Sequence, residues 1–185
     1  MKKFLIGLVI VAVIIVAGVI GIYNNLVSGS ENVKASWAQV ENVLQRRADL
    51  IPNLVNTVKG YAAHEKSVFE EVTKARSAWT GAATQEDKVK AANSMDSAIS
   101  RLLLVVENYP TLKADSTFLK LQDELAGTEN RISVERMRYN QAVRAYNIMI
   151  KTFPAYIVAN KFGFGQFSEY FKAEEKAREV PQVKF

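Results

Sequence analysis

Few side chains are suited to catalysis, and His64 followed by Glu65 is the most suggestive pair. These residues begin the pattern of a zinc protease, but that pattern needs a second histidine four residues later, where this sequence has Val68. The 185 residues contain one histidine and no cysteine, which excludes a multi-histidine metal centre within one chain and a thiol nucleophile. No nucleophile with a neighbouring base is recognisable. The sequence therefore predicts no catalytic residue, no metal and no cofactor.

The second candidate for a site is a set of charged residues on the apolar faces of predicted helices. We call such a face, along which apolar residues recur every three or four positions, the seam of the helix. Arg47 and Glu135 fall where a helix core expects apolar side chains, and a buried charge is tolerated only when it is paired. We therefore expect charged and amide side chains to pair across helices and fix their register. This predicted polar core comprises Arg47, Asp49, Asn53, His64, Glu129, Asn130, Arg131 and Glu135. A catalytic or anion-binding use of the arginines is the alternative.

Three long helices must position these residues. Apolar periodicity predicts them at about 31–80, 84–108 and 116–152. The seam of the first keeps one phase along its whole length, so a single kinked helix is favoured over a hairpin; Pro52 and Gly60 are the two places where it could break. No strand-like alternation occurs. The fold class is therefore all-α, an antiparallel bundle of long helices.

The first predicted helix is longer than its partners, which leaves part of its apolar face uncovered. A helix over 31–80 spans roughly 75 Å, against about 55 Å for 116–152, so we expect a second copy or another protein to cover the excess. The predicted interface residues are Trp37, Val40, Leu44 and Ile51, together with Phe162 and Phe164 of an aromatic, glycine-rich segment.

That segment, residues 153–167, opens a C-terminal region over 153–185 that is predicted as a loop followed by a short charged helix at 169–179. Its rings either cover the open end of the core or contact a partner or a membrane, because large exposed apolar patches usually mark interfaces.

Residues 4–23 carry no charge and predict a transmembrane helix. Twenty residues give roughly 30 Å of helix, the thickness of a hydrocarbon core. A cleaved signal peptide has a shorter apolar stretch, and a core helix is rarely apolar on every face, so we favour a signal-anchor. Lys2 and Lys3 in a cytoplasmic tail place the body across the membrane by the positive-inside rule. A juxtamembrane linker over 24–30 would join the span to the bundle at 31–152.

The net charge of +5 gives little support to nucleic-acid binding. Lys2 and Lys3 account for two of the five charges, and in the body acids such as Glu129 and Glu135 lie between the arginines. No continuous basic stripe results. We expect no nucleic-acid partner.

Several motifs in a fixed order together resemble one known family. They are RRADLIPNLV at 46–55, VKGYAAHE at 58–65, LQDEL at 121–125 with GTENRI at 127–132, RYN at 138–140, FGF at 162–164 and the ending VPQVKF at 180–185. The sequence is similar over nearly its whole length to the LemA family of bacterial membrane-anchored proteins. The resemblance implies one N-terminal membrane helix, a soluble four-helix bundle and no established enzymatic activity.

The sequence thus predicts a non-enzymatic, single-pass scaffold of the bacterial cell membrane and envelope, which forms homo-oligomers or binds an envelope protein. The alternative is an extracytoplasmic module that binds a ligand or peptide in a polar groove around Asn53, His64 and Asn130. Whether the charges of the polar core lie inside the bundle or line an open cleft separates the two.

Overall fold

The part of the chain that the structure describes is built from six helices. A computed structural model describes residues 1–171. The helices are α1 (Lys2–Lys59), α2 (Lys66–Gly81), α3 (Gln85–Val106), α4 (Pro110–Lys113), α5 (Ser116–Met149) and α6 (Ala155–Phe162). No strand occurs among the described residues, and the all-α prediction is confirmed.

The helices divide into two compact units. The first unit consists of Met1–Ala38 and Met137–Tyr170, and the second consists of Gln39–Arg136 with Phe171. In the second unit, the C-terminal part of α1, α2, α3 and the N-terminal part of α5 pack as a helical bundle. Its core side chains, each at most 2% exposed, include Val40, Leu44, Ile51, Leu54, Met95, Ile99, Leu102 and Ile132.

The predicted helix over 31–80 is wrong, because α1 ends at Lys59 and α2 begins at Lys66. The break falls at the glycine and not at the proline. The apolar periodicity does not reveal this turn, because apolar residues near it occur as adjacent pairs. The helical pattern can then be continued through either member of a pair. Ala62 is buried at 1% exposure, whereas Tyr61, which the seam would place inside, is 44% exposed.

The predicted linker over 24–30 is also wrong, because α1 continues through it without interruption. In the first unit, Leu26 of this stretch is buried, as is Val33 shortly after it. A Cβ atom at Gly29 would lie 3.1 Å from the Tyr146 side chain of α5. The glycine therefore allows close helix packing and does not mark a chain reversal.

The proline inside α1 creates a contact with α2. Pro52 has no amide proton, so the carbonyl of Ala48 loses the donor that a continuous helix would supply. Arg76 of α2 donates from Nε to this carbonyl at 3.0 Å. One turn away, Trp79 Nε1 donates to Gln45 at 3.1 Å. The proline thus supplies an acceptor that fixes α2 against α1 in an antiparallel direction.

Replacing Arg76 with methionine is expected to lower the free energy of unfolding by about 2 kcal/mol, because it leaves the Ala48 carbonyl without a donor. In a Pro52→Ala background the helix supplies that donor, and the loss should shrink by about 1 kcal/mol. Urea unfolding followed by tryptophan fluorescence measures both, with Lys74→Met as a control for removing a cation from α2. Equal losses in the two backgrounds would refute the proposed coupling.

The starts of α3 and α5 are closed by side-chain caps. The Thr84 hydroxyl accepts a hydrogen bond from the Asp87 amide at 3.1 Å, and α3 ends at Val106, four residues before Pro110. Asp115 Oδ1 accepts from the amides of residues 117 and 118, both at 2.9 Å. Each acceptor satisfies amides that the first turn leaves unpaired.

Asp115 should make stability depend on pH. The hydrogen bond from the Phe118 amide, and next that from the Tyr61 hydroxyl, lower the pKa of Asp115 below its ordinary 3.8. A lowered pKa contributes stability above pH 3.8 that is lost as pH falls through the folded-state value. Asp115→Asn is therefore expected to have a lower free energy of unfolding than the parent at pH 7. This difference should disappear as the pH is lowered. Unfolding curves between pH 7 and pH 2 test this, with the exposed Asp123→Asn as control; a gap that persists in acid would contradict it.

The aromatic C-terminal segment is partly helical and not the predicted loop. It forms α6, which ends at Gly163 in the left-handed conformation with φ of 76°. The Phe164 amide donates back to the Ala159 carbonyl at 2.9 Å, as in a Schellman cap. The predicted helix over 169–179 falls largely outside the described residues.

Residues 163–170 then run back along α5. The Asn147 side chain donates to the Phe167 carbonyl at 2.7 Å and accepts from its amide at 3.1 Å. Further back, the Tyr139 hydroxyl donates to the Glu169 carbonyl at 2.9 Å. Two helix side chains thus hold an extended segment by pairing with its backbone.

Candidate functional site

Four charged side chains from α1, α3 and α5 meet inside the second unit. We call Arg47, Asp96, Glu129 and Arg136 the charge cluster. Arg47 Nη1 lies 2.9 Å from Asp96 Oδ1 and also donates to Glu129 Oε2. Arg136 Nη2 donates to Asp96 Oδ2 at 3.3 Å. The cluster therefore ties three helices of the bundle together.

Burial sets the electrostatics of the charge cluster. Arg47 is 6% exposed, and the Asp96 side chain is 19% exposed. Burial raises the pKa of Asp96 above its ordinary 3.8, while Arg47 and Arg136 oppose the rise. The stability linked to this raised pKa is fully present below pH 3.8 and is lost as pH rises through the folded-state value.

The cluster neutralises itself and offers no reactive group. Two guanidinium groups face two carboxylates, so neither acid is free to act as a base. The Nε atoms of Arg47 and Arg136 are buried and make no hydrogen bond within the described residues. The guanidinium of Arg136 lies 4.9 Å from the ring centre of Phe171, in cation–π geometry. This arrangement suits the fixing of helix register better than proton transfer.

The structure brings together only two of the residues predicted for the polar core. Arg47 and Glu129 contact each other, and Glu135 is half-buried. The remaining five are exposed: Asp49, Asn53, His64, Asn130 and Arg131. The expectation that they line a polar core is wrong, because they lie on the outer helix faces. Asp49, for example, accepts a hydrogen bond from Gln45 one turn before it on the same surface.

Asp96 and Arg136 are the cluster members that sequence reasoning missed. The signal for Asp96 was available, because it occupies the seam position between Ala92 and Ile99, spaced four and three residues from them. Arg136 had a weaker signal, since its neighbour Glu135 was the residue that the seam placed inside. Among residues 1–171, no group of three or more histidine, aspartate or glutamate side chains could hold a metal ion.

The predicted interface residues differ in how far they are buried within the single chain. Val40, Leu44 and Ile51 are 0%, 0% and 1% exposed within the single chain. The expectation that they need a second copy to cover them is wrong, because α2 folds back where the sequence predicted a continuing helix. Trp37 is half-buried and packs edge-on against Tyr139, with 5.4 Å between ring centres.

An aromatic cluster lies in the first unit. The rings of Phe162 and Phe164 pack edge-on against Tyr23 of α1, with ring centres 5.1 Å and 5.5 Å away. Phe162 remains 56% exposed, and Phe164 is half-buried. Tyr23 is the last residue of the apolar run over 4–23, which two asparagines follow, so these rings lie where that run ends.

The N-terminal part of α1 is exposed although it is apolar. Its most apolar 18-residue window has a mean hydropathy of 3.2 and no buried side chain. Apolar residues such as Ile10, Val13 and Ile14 are more than half exposed. The helix is long and apolar enough to cross a membrane.

Sequence comparison agrees with this geometry. The sequence model of the LemA family matches residues 36–185, which include the whole bundle. The chain belongs to the LemA family. As a member of the LemA family it is a membrane-associated helical protein, and neither its exposed apolar helix nor its paired charges points to a reaction.

Relatives of this LemA-family chain carry two names. Magnetosome protein MamQ 2 of Paramagnetospirillum magneticum is 30% identical over 187 residues, covering 87% of this chain and 68% of the relative. Magnetosome protein MamQ of Magnetospirillum gryphiswaldense is 27% identical over the same shares. Protein LemA of Metamycoplasma hominis is 24% identical over 143 residues, covering 77% of this chain and 65% of that protein. None of these names states a reaction.

Proposed function

We propose that this LemA-family protein is a non-enzymatic, single-pass membrane-anchored module that assembles with copies of itself or with another protein of the bacterial envelope. One observation carries the proposal: the apolar start of α1 has no buried side chain in its most apolar window, whereas the bundle has a closed core of its own. A lipid bilayer is the surrounding that removes this apolar surface from water. The self-paired charge cluster supports a structural role for the bundle.

The proposed orientation places the N-terminus in the cytoplasm and the bundle outside it. Lys2 and Lys3 precede the span, and the first charges after it, Glu31 and Lys34, form an ion pair at 2.7 Å. The charge bias therefore favours a cytoplasmic N-terminus. Alkaline phosphatase fused after Phe185 should be active in cells. Green fluorescent protein fused at the same position should not fluoresce. The reverse result would refute the orientation.

The proposed assembly surface lies on the bundle. Leu104 of α3 is 69% exposed, and Leu119 and Val134 of α5 are 45% and 41% exposed. Because the chain has no cysteine, Leu104→Cys gives a single reactive site. Oxidation in intact membranes should yield a crosslinked dimer or one discrete adduct, while Ser67→Cys on the exposed surface of α2 should not. Only monomer from both variants would argue against assembly through this face.

A second candidate function is the binding of a peptide in a groove of the bundle. The second unit forms a groove between α1 and α2. It is not lined by any of the residues that the sequence predicted for a polar groove, which are Asn53, His64 and Asn130. That groove has a volume of about 470 Å³ and is lined by Lys59, Lys66, Phe69, Glu70, Thr73, Lys74 and Ser77. Lys59 Nζ lies 5.6 Å from the ring centre of Phe69. Three lysines and Glu70 surround the groove, while the Phe69 ring is only 4% exposed, so it is the excess of lysines that favours an acidic peptide.

Calorimetric titration with acidic peptides that carry one leucine or phenylalanine tests this candidate. Lys66→Glu with Lys74→Glu should abolish binding, because both lysines lie on the groove. Lys120→Glu, on exposed α5 surface, should leave it unchanged. Equal binding by all variants, or none by the parent, would dismiss the groove.

A further inference from the structure

The outward side of α6 exposes large apolar side chains that nothing else among residues 1–171 covers. Phe153 just before α6 is 74% exposed, and Tyr156 and Ile157 on its outward face are 46% and 51% exposed. The opposite face is buried through Val158 and Ala159, so α6 is fixed to the first unit by its other side.

The position of α6 along α1 is set by the aromatic cluster. Phe162 at the end of α6 packs 5.1 Å from Tyr23, measured between ring centres. Tyr23 ends the apolar run over 4–23, and the first charged residue after it, Glu31, follows eight residues later, about 12 Å further along the helix. If α1 spans a bilayer, Tyr23 therefore lies at the edge of the hydrocarbon region, and Phe162 lies at the same depth.

The polar groups around α6 also match the chemistry of a membrane interface. Asn160 and Lys161 share its outward side, which therefore mixes a ring and an aliphatic side chain with hydrogen-bond donors. Beside it, a cavity of about 410 Å³ is lined by donors that include Lys151, Tyr156 and Asn160. Aromatic and basic side chains favour the headgroup level, where the rings contact acyl chains and the amines reach phosphate oxygens.

We infer that α6 with Phe153 is a second membrane contact, which lies in the lipid interface beside the span and seats its exposed side chains among headgroups. The inference rests on the proposed membrane anchor and adds a surface to it. It assigns this face to lipid and not to a protein, because Phe162, at the end of the same helix, packs on Tyr23, where the apolar run of α1 ends. The contact would hold the first unit at a fixed height and rotation against the bilayer.

Spin labelling of the full chain in lipid nanodiscs tests the inference. The absence of native cysteine allows single labels at Ile157→Cys on α6, Ile14→Cys in the span and Gln122→Cys on the bundle. Collision rates with oxygen, which partitions into lipid, and with a water-soluble nickel chelate report the surroundings of each label. We expect the Ile157 label to gain oxygen collisions and lose nickel collisions relative to Gln122, and to lie shallower than Ile14.

Each other outcome overturns the inference in a distinguishable way. Nickel access at Ile157 equal to that at Gln122, with Ile14 in lipid, would leave the anchor intact and refute the α6 contact. Spin–spin broadening at Ile157, with low access for both reagents, would assign the face to a second copy. Nickel access at Ile14 would remove the anchor itself, and the inference with it.

Discussion

Replacing Arg47 with methionine is expected to lower the free energy of unfolding by about 3 kcal/mol. Breaking a buried ion pair by removing one partner typically costs about 3–5 kcal/mol, and Arg47 is 6% exposed between two carboxylates. The lower end applies because Asp96 keeps Arg136, and because the Glu129 side chain is 51% exposed and can turn to water. Methionine preserves most of the packing volume, so the loss reports the charge.

Urea unfolding of the full chain in mild detergent measures this loss through Trp79, which is 3% exposed in the bundle core. Arg46→Met is the matched control, because it removes the same charge one residue earlier from an exposed position. A double-mutant cycle should give a larger coupling of Arg47 with Asp96 than with Glu129, since the second carboxylate is more exposed. A rise in stability on Arg47→Met would show that the charge cluster does not stabilise the bundle.

Placing two lysines in the middle of the apolar stretch is expected to release the protein from membranes. Val13 and Ile14 are 62% and 65% exposed and lie at the centre of residues 4–23. A lysine at the centre of a membrane helix costs about 3 kcal/mol on insertion scales, so Val13→Lys with Ile14→Lys adds about 6 kcal/mol. That offsets most or all of the roughly 4–7 kcal/mol that the twelve remaining phenylalanine, leucine, isoleucine and valine side chains of this stretch supply at about 0.3–0.6 kcal/mol each.

Fractionation of cells with a carbonate wash provides the measurement. The parent chain and the paired control Val13→Leu with Ile14→Leu should stay in the pellet, and the double-lysine variant should move to the supernatant or be degraded. The bundle has its own core, so any released protein should unfold in urea as the parent does. Retention of the lysine variant in the washed pellet would mean that another part of the chain holds it to the membrane.

Much of the helical content could be predicted from local signals. The caps at Thr84 and Asp115 and the stop before Pro110 are decided by nearest neighbours, and the structure begins and ends helices there. The turn at Gly60 could not be predicted, because a helix that continues and one that folds back present the same apolar periodicity when apolar residues come in pairs. One glycine, Gly29, lies in a helix interior and the other, Gly60, at a break, and only packing distinguishes them.

The sequence could predict that a buried charged group needs a partner, but not which residues form the site. The seam indicated that Arg47 is buried and needs a partner, and electrostatics requires that partner to be an acid. Which acid depends on the rotation and height of α3 and α5 against α1, and no local pattern specifies these. The structure supplies Asp96 and Glu129 from two helices and Arg136 to share the first.

The sequence by itself determined that the chain is all-helical, that it begins with an uncharged stretch long enough to span a bilayer, and that it has no cysteine and one histidine. These are properties of composition and local periodicity, and they hold for any packing of the helices. The tertiary structure alone decided where the first long helix folds back, that its apolar seam is covered within one chain, and that α6 is held at the level of Tyr23. These depend on contacts between residues distant in sequence, whose free energy exists only when the helices are packed together.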